Sequence, residues 1–243
     1  MARIGTEAEL DFRTTLAGSH DEAISLKFGI TGSHLDKILV TLLKVFEHHS
    51  KIGPRPLSFG MALLNRARQA LVSSMALARG GAIDDALVLI RVALETSAVA
   101  VHVVKQPDAL DQFHSPPARN YETSAAIRFS KPFVPFLPLV WGRLSNNAVH
   151  TNAARFGPEV RSPTQYSIQM VPIRPTEEKL LGTLATIELA GALVLQCTES
   201  CFLEPDPEQD GWLRIPGSRA MVTRSQPHRV EKLYKEYMSS SST

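Results

Sequence analysis

A chain of 243 residues, 44% of them hydrophobic, can bury a sizeable core within one large domain and needs no second one. Its formal net charge of +2 does not single out a nucleic-acid binder. The two cysteines, Cys197 and Cys201, stand four apart without the closer partner pairs that a zinc site needs, and read as buried thiols of a reducing compartment.

In chain order, residues 1–33 are polar and interrupted by Gly18, Gly29 and Gly32, which predicts a loosely attached arm. Its opening, MARIGTEAELDFRTTL, carries acids early and has no apolar core, so it does not follow the pattern of a secretory signal. Ser33 reads as the N-cap of a helix over 34–49, whose apolar face is Leu35, Ile38, Leu39, Leu42, Leu43 and Phe46. Pro54 and Pro56 then break the chain.

Two alanine-rich helical patterns follow, running to Arg79 and from Asp84, joined by Gly80-Gly81. On the first, Leu64, Ala67, Leu71, Ser74, Met75 and Ala78 recur at the spacing of one helical face. A glycine can close a helix in the left-handed conformation, and Asp84 and Asp85 suit the positive end of the next helix dipole, so an antiparallel hairpin is expected. The second helix is apolar on nearly every side and should lie inside the domain. Its exceptions, Arg91, Glu95 and His102, share one narrow stripe and must be paired if buried. They form either a structural ion pair or the inner wall of a site.

Pro107 ends that helix, PDALDQFH reads as a short helical turn, and a helix over 119–129 leads into the proline-spaced KPFVPFLPLVW. Residues 151–174 carry Gly157, Pro158, Pro163 and Pro172 with little periodicity, which predicts a long loop. Pro175 and Thr176 start a long helix to Phe202. Its apolar run, 180–197, holds Glu188 in its middle and falls short of the roughly 20 residues that span a bilayer, so a soluble cytoplasmic protein without a membrane role is expected. The remainder is an acid-rich break, a basic segment with Trp212 and a final helix over 229–238. With hardly any period-two alternation, the fold class is all-α: a single-domain helical bundle built round the central hairpin. It divides into an arm over 1–33, the bundle over 34–204 and a C-terminal segment over 205–243.

Local charge is less even. Six Arg and Lys against two Glu over 119–161 leave +4, and 214–236 has the same excess. Solvated surface and attraction of phosphate are both consistent with such patches. Within the first lies WGRLSNNAVHTN. Arg143 and His150, seven apart, fall on one helical face with Asn147 between them. A fixed cation, an amide and a group titrating near neutrality are what cleavage of an RNA phosphodiester uses, the histidine moving a proton and the arginine stabilising charge on phosphorus. No GxSxG, HExxH or P-loop pattern occurs, and no metal or cofactor is implied.

The segment ARGGAIDDALVLIRVALETSAVAVHVVKQP resembles the central hairpin of uncharacterised bacterial helical proteins, in which a small-residue turn precedes an alanine, an arginine and a glutamate on one helix. Their later serine, valine and histidine match Ser145, Val149 and His150. Those proteins are similar in turn to the HEPN superfamily, helical bundles whose active members are metal-independent endoribonucleases with an Arg, four to six intervening residues and a His. Arg143 and His150, with six between them, fit that spacing, and the resemblance covers residues 57–152. It implies a homodimer in which two motif helices face each other across a two-fold axis, making one composite site for RNA, in a stress or phage-defence setting. Two classes stay open. One is that ribonuclease, with Arg143 and His150 catalytic and Asn147 assisting, supported by Arg91, Glu95, His102 and Ser145. The other is a non-catalytic scaffold or ligand- or partner-binding module of the same fold. Access of a phosphate to Arg143 and His150 discriminates them.

Overall fold

Helical periodicity dominates the sequence, and helices dominate the structure, a computed structural model that describes residues 22–49, 55–114, 122–145, 176–216 and 221–239. Among these residues there are eight helices: α1 (Glu22–His49), α2 (Arg55–Arg79), α3 (Ile83–Lys105), α4 (Asp108–His114), α5 (Thr123–Ser130), α6 (Leu137–Leu144), α7 (Glu177–Phe202) and α8 (Pro227–Ser239). One small antiparallel sheet, in the order β1 (Glu204–Pro205), β2 (Trp212–Arg214) and β3 (Met221–Thr223), joins α7 to α8. The protein is an all-α bundle built round the α2–α3 hairpin.

That hairpin closes through its double glycine. Gly81 adopts φ +80°, and the N–H groups of Gly81 and Ala82 donate to the carbonyls of Ala78 and Leu77 at 3.0 and 2.9 Å. This is the paired helix-ending bond pattern that a left-handed residue makes possible. Leu64, Ala67, Leu71, Ser74 and Ala78 then face inward on α2, while Met75 is half-buried. A Cβ on Gly60 would come within 2.5 Å of Val104 Cγ2, so glycine permits the close approach of α2 to α3. The α3 helix packs against α2, α4, α5, α6 and α7. α7 is the second central element, capped by Thr176, whose side chain accepts from the Lys179 N–H. Leu64, Leu71, Ile90, Leu94, Leu184, Ile187, Leu189 and Leu193 are fully buried, each stabilising by about 1.5–3 kcal/mol relative to exposure. By length and apolar composition α3 and α7 could each cross a bilayer, and much of each apolar stretch is buried within the bundle.

Two expectations are corrected. α1 begins at Glu22, so Ser33 is an exposed interior residue of the helix and not its N-cap. Gly29 and Gly32 each weaken a helix by roughly 0.5–1 kcal/mol relative to Ala. The inward stripe of Ile24, Phe28, Thr31 and Leu35 nonetheless continues through them, and burial outweighs propensity. The sheet is the other departure, since strands of two or three residues are too short to show alternation. Tertiary contacts hold it instead: the Asp206 carboxylate accepts from the Glu208 and Gln209 N–H groups at 2.8 and 2.9 Å and from Arg214 at 2.8 Å, and His48 Nε2 meets the Pro216 carbonyl at 2.9 Å. The expected loop over 151–174 lies outside the described residues.

Candidate functional site

The α3 stripe lies at the edge of the core, not in its depth. Arg91 Nε donates to Glu95 Oε1 at 2.8 Å, and their side chains are 22% and 25% exposed. The same oxygen accepts from Trp141 Nε1 at 2.9 Å, and the Arg91 guanidinium lies 5.7 Å from the indole centroid. One carboxylate therefore ties α3 to α6. His102 belongs to a different neighbourhood: its ring is 4.6 Å from that of Phe129 on α5, and its Nε2 is 3.3 Å from Gln106 Oε1. Burial lowers the His102 pKa, while the Gln106 contact opposes the shift.

α6 carries Arg143 in its last turn and is capped by Ser145. The Ser145 hydroxyl is buried and donates to the Trp141 carbonyl at 2.8 Å, a local bond that closes the helix. Arg143 turns towards α8. Its guanidinium carbon sits 5.1 Å from the Tyr237 ring centroid, and Nη1 donates to Met238 Sδ. Burial pushes the Tyr237 phenol up to about 12, with Arg143 partly opposing it. Asn147 and His150 lie outside the described residues, so of the expected triplet the structure describes Arg143 alone.

A second polar centre was not anticipated. Glu188 is 5% exposed in the middle of α7, where its carboxylate receives Lys27 Nζ at 3.2 Å and His34 Nδ1 at 2.5 Å, both from α1, with Arg229 of α8 at 3.8 Å. Beside it opens a cavity of about 330 Å³ between α1, α7, α8 and the chain after β3. Nearby, Glu199 accepts from both the N–H and the hydroxyl of Ser225; burial raises its pKa against those bonds and the charge of Arg224. The signals were present: Glu188 is the lone acid of an apolar run, and Lys27 and His34 are seven residues apart. Only the packing of α1 on α7 joins them.

Chemically, the Arg143 region offers a cation held against an aromatic ring, and the Glu188 region offers a carboxylate offset by cations beside an open volume. Among the described residues, no group of three or more His, Cys, Asp or Glu could hold a metal ion. Cys197 is buried and Cys201 half-buried; burial pushes both thiols up, Cys201 to about 12, which keeps them protonated and poorly nucleophilic. Comparison of the chain with protein-family models, curated proteins and solved structures yields no match.

Proposed function

We propose that this chain is a non-catalytic, HEPN-like helical module that binds a ligand or partner. The observation that carries the reading is the engagement of Arg143 by Tyr237 and Met238 of α8. A guanidinium laid on a ring face, with Nη1 turned to a thioether, is aimed at α8, whereas transition-state stabilisation requires a donor aimed at the developing charge. The test is incubation of the purified chain with single-stranded RNA in excess chelator, beside His150→Ala and Arg143→Lys. No cleavage above that of His150→Ala is expected. Cleavage by the parent that both variants lose would overturn the reading.

A metal-independent endoribonuclease is the second reading, with Arg143 and His150 catalytic and Asn147 assisting. It is favoured by the partial exposure of Arg143 at the end of α6, where its described contacts, Tyr237 and Met238, are side chains of one terminal helix. Under this reading Tyr237→Ala/Met238→Ala would raise cleavage, and a homodimer would join two motif helices. A strict monomer at micromolar concentration would count against it.

A further inference from the structure

We infer that the cavity between α1, α7 and α8 is a binding site for a small organic anion, a carboxylate or phosphate ester with a compact apolar body. The inference deepens the binding-module reading and rests on it. A volume of about 330 Å³ lies at the small end of the roughly 300–1,000 Å³ typical of ligand sites, room for a single ring and its charged group. Its apolar wall includes Ile38, Leu195 and Leu233. Its polar rim carries Lys37, Arg224 and Arg229.

Charge selects an anion. At and around the cavity Lys27, Lys37, Arg224 and Arg229 stand against Glu188 and Glu199, and four minus two leaves +2 before His34 is counted. The two carboxylates are already served: Glu188 by Lys27 and His34, Glu199 by the N–H and hydroxyl of Ser225. The Arg229 guanidinium is 3.8 Å from Glu188 and half exposed, so it can swing to a ligand without abandoning a short bond. Arginine is suited to that role because its planar fork meets carboxylate and phosphate oxygens in pairs.

The full chain would be titrated calorimetrically with phenyl phosphate, benzoate, inorganic phosphate and, as the uncharged control, phenol. Phenyl phosphate and benzoate should saturate at one per chain and exceed both inorganic phosphate and phenol. Arg224→Gln and Arg229→Gln should each weaken them about 10- to 100-fold, the usual loss for a hydrogen bond to a charged group. Ala192→Leu, which extends a cavity-lining side chain into the space, should remove the advantage of phenyl phosphate over inorganic phosphate. Arg128→Gln, on α5 away from the cavity, should bind as the parent does, and thermal melts would verify that every variant is folded. Phenol binding as well as phenyl phosphate, absence of saturable binding at millimolar probe, or unchanged affinity in both arginine variants would overturn the site. RNA cleavage reads the module proposal and these titrations read the cavity, so the two fail separately.

Discussion

Glu95→Ala tests the joint that orients α6 and with it Arg143. The substitution removes one oxygen that serves two donors, Arg91 Nε at 2.8 Å and Trp141 Nε1 at 2.9 Å. A hydrogen bond to a charged group contributes about 1.5–3 kcal/mol. The Arg91 pair, i to i+4 and roughly a quarter exposed, adds only about 0.3–0.5 kcal/mol, as such helix pairs do. The expected loss is therefore about 2–3.5 kcal/mol, at or below the lower end of the ~3–5 kcal/mol for breaking a fully buried pair, because solvent can take up the freed guanidinium. Glu95→Gln retains an oxygen for the indole and should cost about 1 kcal/mol, the net value of an ordinary hydrogen bond. Urea unfolding followed by far-ultraviolet circular dichroism gives each value, and Trp141→Phe completes a double-mutant cycle with an expected coupling of about 1–2 kcal/mol. If Glu95→Ala lies within about 0.5 kcal/mol of the parent, as an unremarkable surface change would, the joint does not exist.

Gly81→Ala places a Cβ on a φ of +80° and should destabilise by about 1–2 kcal/mol, whereas Gly80→Ala, where φ is not positive, should be near neutral in the same denaturation assay. A high-pH effect should trace to Tyr237. Its phenol ionises near 10 in the unfolded chain and at about 12 when folded, so its contribution to stability is complete below pH ~10 and is lost as pH rises towards 12. Tyr237→Phe should flatten the stability profile across that window; an unchanged slope would mean that the phenol is not buried between α8 and the bundle.

Periodicity alone was sufficient for the helices that carry the core. The α2 stripe from Leu64 to Ala78, the glycine turn and the Thr176 cap are local: each depends on residues within a few positions, so spacing and residue type determine them. The Arg91–Glu95 pair was legible for the same reason, being one helical turn long. The start of α1 was not, because Gly29 and Gly32 argue locally against helix and only burial of Ile24 and Phe28 outweighs them. Strands as short as β1 to β3 carry no pattern and are held by Asp206 and by their partners. The exposure of Glu95, the contact of Arg143 with Tyr237 across almost a hundred residues, and the meeting of Lys27, His34, Glu188 and Arg229 were decided by tertiary structure. Composition and spacing specify which faces are apolar; which polar groups meet depends on how those faces pack, a long-range outcome that no local window contains.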